Sequence, residues 1–320
     1  MNFTLVPLKY KQKAAFFVFI AFATFILLPG SVALAAISDY TREEKLNAAM
    51  ASPYAVEIRD KEMWLNLFAN KAVIEDPVGT SPYKADTWSW KTWSISDFQL
   101  ERFYETFFAL NETTFHVNQA IVVDNQVVCD FVIESYQGGG LTANIPVHVI
   151  YDLQEESGAL KISHLASHWD IKGVQIQTDD NATNTNQDNN SLAFRLLEIQ
   201  GLSGALGYLQ GYTIGIFDKG IDTVANFVES VNIQDTSALL ELFDSNNVEI
   251  EFPVGGVSLS PSEFIGVKPP HIVVQDVRSS GWVTSFSFDV NLEGIDHHGI
   301  GFFEYSRRSK KIKNARFYWE

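Results

Sequence analysis

The pattern of apolar and polar positions predicts helices followed by strands, twice along the chain. In the first half, helical spacing of apolar residues predicts helices over residues 41–50, 60–70 and 97–110. A short strand is predicted at Val73-Ile74, and four longer ones at 115–123, 127–136, 141–153 and 160–169. The order returns from about Ile221, with strands predicted at 271–277, 282–292, 299–306 and 312–319. Helices on one face of a curved antiparallel sheet make an α+β cone, so two such domains are predicted.

A repeat in the sequence supports this duplication. Residues 67–79, LFANKAVIEDPVG, recur as residues 242–255, LFDSNNVEIEFPVG, with one inserted residue and with Phe252 in the place of Asp76. The ends also match, since 161–170 (KISHLASHWD) resembles 311–320 (KIKNARFYWE). Matching starts and ends in the same order indicate a duplicated domain. We therefore predict a first domain at 37–174 and a second, degenerate one at 221–320.

The segments between the two copies differ sharply in character. Residues 179–190 contain no apolar residue larger than Ala, which predicts a flexible linker over 175–191. An apolar helix is predicted over 192–220; within it, residues 199–217 carry no charge, and Gly207, Gly211 and Gly215 recur every fourth position. Small residues at this spacing allow close helix packing, above all in membranes. A buried extra helix is favoured, with membrane contact through 199–217 as the alternative.

The N-terminus has the pattern of a targeting segment. Lys9, Lys11 and Lys13 precede an uncharged apolar run over 14–28, followed by Pro29-Gly30 and by Ala33-Leu34-Ala35. This order predicts a secretory signal peptide over 1–35, and hence a periplasmic or secreted protein. An uncleaved anchor over 14–36 is the alternative, because that run could just span a bilayer.

Composition and charge reduce the number of possible functions. The formal net charge is −16, which argues against binding to nucleic acid. Aromatic residues make up 13% of the chain, a surplus that favours a pocket for a flat apolar ligand. Cys129 is the single cysteine, so no internal disulfide or cysteine-based zinc site can form. His164 and His168 are not accompanied by further ligands at metal-binding spacing, and neither a metal nor a cofactor is predicted.

The first copy resembles the NTF2-like superfamily (SnoaL-like and ketosteroid isomerase-like proteins), and within it the bacterial ketosteroid isomerases. The residues that carry the resemblance are Leu67-Phe68-Ala69, Ala72, Glu75-Asp76-Pro77-Val78-Gly79, Pro82, Phe103-Tyr104, Tyr136-Gln137-Gly138 and Trp169. The resemblance implies two NTF2-like cones that pair through their sheets within one monomeric chain. It also implies the migration of a double bond next to a ketone, with a base that moves the proton and donors that hold the dienolate oxygen.

The resemblance assigns three catalytic positions. Asp76 falls on the base, and Tyr54 is the tyrosine nearest to the family's first donor, although Pro53 departs from the pattern. The family's Pro-hydrophobe-Asp matches residues 146–148, which places His148 at the second donor. Counting back from Leu153 places Val149 there instead, and the donor is then missing. Each position has a plainer interpretation: a turn aspartate, a packing tyrosine and a structural histidine.

Four aromatic residues are predicted to line a ligand: Trp169, Phe103, Trp88 and Trp90. Trp169 matches a pocket-lining position of the family, while Trp88, Trp90 and Trp93 lie in an insertion that could form a lid or pack against the second copy. The second copy has Phe252 in place of the base and is expected to be a pairing partner. Two functions follow: an isomerase of an apolar, steroid-like ketone, or a non-catalytic protein that binds a lipophilic small molecule. A purely structural or partner-binding tandem is a third interpretation.

Overall fold

Two curved sheets, each with helices on one face, form the part of the chain that the structure describes. The computed structural model describes residues 40–89, 94–96, 98–136, 142–174, 192–267 and 269–320, all within one compact unit. The predicted signal peptide, the predicted linker over 175–191, and both Trp90 and Trp93 lie outside the described residues. The α+β class predicted from the sequence is confirmed by this architecture.

The first copy begins with helices and ends in a six-stranded sheet. Its helices are α1 (Arg42–Glu57), α2 (Lys61–Asn66) and α3 (Phe98–Phe107). Its strands are β1 (Phe68–Glu75), β2 (Tyr83–Lys84), the ribbon β3 (Thr87–Ser89) and β4 (Ser94–Ser96), β5 (Glu112–Val123), β6 (Gln126–Tyr136), β7 (Thr142–Glu156) and β8 (Ala159–His168). The sheet order is β2-β1-β8-β7-β6-β5, and β1 runs parallel to β8.

The segment between the copies forms helices that pack on the first copy. They are α4 (Leu192–Arg195), a π-helix (Leu196–Gln200) and α5 (Gly201–Thr213). A Cβ added at Gly207 would lie 2.5 Å from Oγ of Ser81, and one at Gly211 would lie 2.8 Å from Cγ2 of Thr80. The glycines therefore allow α5 to approach the loop after β1. None of the helices in the described ranges is long and apolar enough to cross a membrane.

The second copy repeats the arrangement. Its elements are α6 (Asp218–Asn232), α7 (Thr236–Glu241), β9 (Glu249–Glu251), α8 (Pro261–Gly266), β10 (Ile272–Ser280), β11 (Val283–Leu292), β12 (Ile295–Tyr305) and β13 (Ile312–Trp319). The sheet order is β10-β11-β12-β13-β9, and β9 runs parallel to β13. It matches the order β5-β6-β7-β8-β1 of the first sheet.

Two predicted boundaries were wrong near the start of the first copy. α1 continues through Pro53 to Glu57, and β1 begins at Phe68, where the helix was expected to reach Asn70. Thr41 caps α1 in a capping box with Glu44, which fixes its start but not its end. Phe68 pairs with Ile162 of β8, so tertiary pairing overrides the local helical spacing.

The outer faces of the two sheets meet in an apolar contact. The first sheet contributes Ile121, Val128, Ile150 and Ala166, and the second contributes Ile300, Phe302 and Tyr318. The side chain of Gln119 donates to the carbonyl of His298 at 2.8 Å, and the hydroxyl of Tyr318 donates to Gln126 at 2.8 Å. The central strands of the first sheet are therefore covered on both faces.

We expect the chain from Ala36 onward to be a monomer at micromolar concentration. Each copy already covers the outer sheet face of the other, so the apolar surface that would drive dimerisation through these faces is buried. Sedimentation velocity checks this expectation, and a stable dimer would contradict it.

Candidate active site in the first copy

Asp76 lies where β1 ends, beside the end of β8. Because these strands run parallel with Glu75 opposite Ala166, the next residues, Asp76 and Ser167, are neighbours. The indole Nε1 of Trp169 donates a hydrogen bond of 2.6 Å to Oδ1 of Asp76, and Ser167 provides a second hydrogen bond. Two residues of one strand end therefore hold the carboxyl group in place.

The environment of Asp76 changes its acidity. Burial raises the pKa of the Asp76 carboxyl to about 6, and the hydrogen bonds from Trp169 and Ser167 lower it only in part. A carboxylate with this pKa is largely ionised at neutral pH, yet it can accept and return a proton there. Its acidity suits general base catalysis.

The charge of Asp76 acts on three buried tyrosines. Tyr83 comes from β2, Tyr151 from β7 and Tyr208 from α5. Burial raises the pKa of each hydroxyl, and the charge of Asp76 adds to the effect in all three. The phenols are therefore neutral at physiological pH and can donate hydrogen bonds.

Hydrogen bonds and ring contacts fix the positions of these tyrosines. Tyr151 is hydrogen-bonded to Ser52 of α1, and Tyr208 to its neighbour Tyr212. The ring of Tyr83 meets Phe103 edge-on, with centroids 5.0 Å apart, and Phe103 stacks on Trp64 at 5.8 Å. Phe103, predicted to line a ligand, is thus part of the aromatic core around Tyr83.

Tyr54 does not lie in this cluster. Its side chain is 48% exposed on α1, whereas Ala49, Ser52, Pro53 and Val56 are buried at the i, i+3, i+4 and i+7 positions that face the sheet. Tyr54 is two residues from Ser52 and so points away from this face. The assignment of Tyr54 as an oxyanion donor is corrected: Ser52 occupies the inward position and contacts Tyr151.

His148 lies on the opposite face of the sheet from Asp76. The core of the first copy contains Val147, Val149 and Tyr151, so the alternate residue His148 faces the second copy. Its ring accepts from the guanidinium of Arg278 at Nε2 and bonds the hydroxyl of Ser285 at 2.8 Å through Nδ1. His148 therefore cannot serve as the second donor, and the alternative alignment, with Val149 facing the interior, fits the structure.

The remaining predicted aromatic residues have different outcomes. Trp169 contacts the candidate base directly, through the hydrogen bond to Asp76. Trp88 lies in β3, but its side chain is outside the described part, as is the whole of Trp90. The prediction that Trp88 and Trp90 line a ligand therefore stays a prediction.

The second copy has a hydrophobic interior at the corresponding place. Phe252 packs edge-on against Trp319 with ring centroids 4.7 Å apart, where Asp76 and Trp169 share a hydrogen bond in the first copy. Further phenylalanines fill the core, among them Phe227, Phe264, Phe286, Phe303 and Phe317. The base position is thus replaced by an aromatic ring that completes the packing.

His164 and His168, the two histidines considered as metal ligands, contact other side chains. His164 bonds Asp152 at 3.0 Å and Glu75 at 3.1 Å, and the ring of His168 packs on Phe302 at 4.9 Å. In the described ranges, no group of three or more His, Cys, Asp or Glu side chains is placed to hold a metal ion.

The three tyrosines Tyr83, Tyr151 and Tyr208 were not among the site residues predicted from the sequence. Alternation places Tyr151 on the same face as Val149, but in a strand buried on both faces it does not show that this face is the inner one. Tyr83 follows Asp76 by seven residues, but only its pairing with Ile74 turns it inward. Tyr208 comes from α5, and no sequence signal indicates that this helix covers the first copy.

Comparisons with known proteins describe a likeness of fold. No protein-family model matches the chain, and no curated protein does. Among solved structures, the chain is similar to a protein from Mycobacterium tuberculosis at 23% identity and TM-score 0.35, over 42% of this chain and 96% of that one. That protein has also been solved in complex with estradiol-17beta-hemisuccinate. The chain is similar to the Δ5-3-ketosteroid isomerase from Mycobacterium sp. at 21% identity and TM-score 0.33 over 40% and 95% of the two chains. An LEH-like epoxide hydrolase from M. tuberculosis matches at 12% identity and TM-score 0.34 over 43% and 91%.

Proposed function

We propose that the first copy is a double-bond isomerase of the ketosteroid isomerase kind, acting on an apolar, steroid-like ketone. The observation that carries the proposal is the buried Asp76, whose pKa is raised to about 6 and whose carboxyl is held by Trp169. A base of this acidity inside an aromatic environment suits the removal of a weakly acidic C–H proton. The ketosteroid isomerases, which the sequence around Asp76 resembles, catalyse the same reaction.

The proposed reaction moves one proton and one double bond. The carboxylate of Asp76 takes a proton from the carbon between the ketone and the isolated double bond, and the electron pair of that C–H bond forms a dienolate. A neutral tyrosine phenol, from Tyr83 or Tyr151, donates a hydrogen bond to the dienolate oxygen. Asp76 then returns the proton to the far carbon of the dienolate, which gives the conjugated ketone and restores the carboxylate.

The rate is expected to depend on pH through Asp76. Because the base must be ionised, kcat/KM should rise with pH and level off above about pH 6, the raised pKa of the free enzyme's carboxyl. Initial rates of isomerisation measured from pH 4.5 to about pH 8 check this, with near-ultraviolet circular dichroism as a control for folding. A rate that is constant across this range would contradict the assignment.

Stability should respond to the same group in the absence of any ligand. The folded-state pKa of Asp76 is raised from 3.8 to about 6, so the folded protein binds this proton more tightly and loses stability as pH rises between these values. Asp76→Asn removes this loss. The variant should be more stable than wild type by roughly 1–3 kcal/mol at pH 7.5 and should show no such gain at pH 3.5. Thermal unfolding at both pH values measures the difference, and an equal gain at the two would contradict a raised pKa.

One observation favours the alternative, a non-catalytic binding protein for a lipophilic molecule. His148 faces away from Asp76, and Val149 on the inner face provides no donor. If the tyrosines do not replace that donor, the first copy retains an apolar interior without efficient turnover. Saturable steroid binding without a rise in conjugated product would support this alternative.

A further inference from the structure

A cleft of about 640 Å³ lies between the two copies, outside the interior that contains Asp76. Its walls are the loop Val78–Pro82 after β1, Gln210 and Ile214 at the end of α5, Trp282 at the start of β11, and Tyr305–Arg307 at the end of β12. This volume lies within the range of small-molecule sites. The cleft needs both copies and the segment between them.

The copies are joined tightly where the cleft is formed. Ser280 donates its hydroxyl to the carbonyl of Val78 at 2.7 Å, and the amide of Ile216 donates to the carbonyl of Gly281 at 2.7 Å. The backbones of Gly79 and Gly281 touch, since a Cβ on Gly79 would lie 2.4 Å from Cα of Gly281. Backbone contacts between the two copies therefore fix the position of the cleft walls.

The charges around the cleft leave one cation without a counter-charge. Of the two acidic residues in the lining, Glu75 pairs with His164 at 3.1 Å and Glu304 pairs with Lys313 at 3.2 Å. Arg307 also lines the cleft, and no described acidic residue lies within ion-pair distance of it. Arg307 is therefore the cation of the lining that is left for an anionic ligand, since Lys313 is paired with Glu304.

The turn beside Arg307 reinforces this charge. Residues 306–316, which we call the basic hairpin, contain six of the chain's 23 basic residues and no acidic residue: Arg307, Arg308, Lys310, Lys311, Lys313 and Arg316. The chain as a whole has a net charge of −16, so the charge of this hairpin is opposite in sign to that of the chain. A local positive potential at the mouth of a cleft concentrates anions there.

The cleft also offers an aromatic wall. The ammonium of Lys310 lies 3.6 Å from the centroid of the Trp282 ring, a cation–π contact that holds the indole. Val78, Pro82 and Ile214 add aliphatic surface on other sides. A flat apolar body fits against these groups, and a negatively charged substituent fits against Arg307.

We propose that this cleft is a second ligand site, separate from Asp76, for a flat organic anion such as an aromatic or alicyclic carboxylate or sulfonate. Arg307 binds the anionic group and Trp282 contacts the apolar body. The site does not depend on the proposed isomerase activity.

Two fluorescent probes test the site on the full chain: anilinonaphthalene sulfonate, which is a flat anion, and phenylnaphthylamine, which has a similar apolar body without the charge. The sulfonate should bind saturably, and Arg307→Gln should weaken its binding roughly tenfold, as expected for a hydrogen bond between charged groups. The matched control Arg308→Gln removes the same charge from the adjacent position and should change binding by less than about twofold. Arg307→Gln should leave binding of the neutral probe unchanged.

Three results would overturn the proposal. Equal weakening by Arg307→Gln and Arg308→Gln would show that the hairpin attracts anions only through its total charge. Equal loss of both probes in Arg307→Gln would show that the guanidinium does not recognise the anion. Sulfonate binding that responds to Asp76→Asn but not to Arg307→Gln would place the probe inside the first copy.

Discussion

Asp76→Asn is expected to lower the rate of double-bond migration by at least about 10²–10⁴-fold, the contribution of general base catalysis. The amide keeps the shape of the carboxylate and can still accept a hydrogen bond from Trp169, but it cannot take the proton. Steroid binding should survive, because apolar walls provide most of the affinity. Initial rates and a separate binding titration on the same variant measure the two effects.

Three further variants make this expectation specific. Tyr151→Phe removes a buried phenol on which the charge of Asp76 acts and should lower the rate, whereas Tyr54→Phe changes a tyrosine that is 48% exposed and should have no effect. Phe252→Asp places a carboxylate at the equivalent position of the second copy, where phenylalanine rings fill the core, and should give no activity. If Asp76→Asn keeps the wild-type rate, Asp76 is not the base.

Arg278→Met is expected to destabilise the protein by about 3–5 kcal/mol, the cost of breaking a buried ion pair from one side. Arg278 and Asp130 are both buried where the two sheets meet, and a guanidinium nitrogen lies 3.4 Å from Oδ1 of Asp130. Arg278 also donates to Nε2 of His148, whose pKa is held well below its ordinary value by burial and by the charge of Arg278. The substitution leaves a buried carboxylate without its cation and removes one donor from Nε2 of His148, which keeps its contact with the hydroxyl of Ser287 at 3.1 Å.

The melting temperature of Arg278→Met should fall by roughly 6–10 °C. The exposed pair of Arg59 and Glu112, at 3.3 Å, provides the control, and Arg59→Met should cost less than about 1 kcal/mol. The double variant Asp130→Asn with Arg278→Met removes the buried charge and should recover part of the loss. Equal effects of Arg278→Met and Arg59→Met would show that the buried network does not join the copies.

The sequence predicts the fold well because the relevant signals are local and repeated. Period-two alternation located β5, β6 and β13 closely, and the repeated Pro-Val-Gly block marks the end of β1 and of β9. Predicting α2 as far as Asn70 failed because Phe68 pairs with a strand about a hundred residues away. The spacing of apolar residues within a short segment gives no information about pairing with so distant a strand.

The site was only partly predictable for a related reason. Residues 147–151 are buried on both faces of β7, since helices cover one face and the second sheet covers the other. Alternation does not distinguish inside from outside in such a strand, so His148 and Val149 could not be separated by pattern alone. Asp76 and Trp169 were found because their motifs are local, whereas Tyr208 depends on how α5 folds back onto the first copy.

The most direct test of the account is turnover by the wild-type chain from Ala36 onward, measured on an unconjugated 3-keto-Δ5 steroid. We predict a rise in ultraviolet absorbance as the conjugated ketone forms, at a rate that is proportional to enzyme concentration. A parallel titration measures binding of the conjugated product. Binding without any rise in absorbance above the uncatalysed rate would contradict the central claim that Asp76 is a catalytic base.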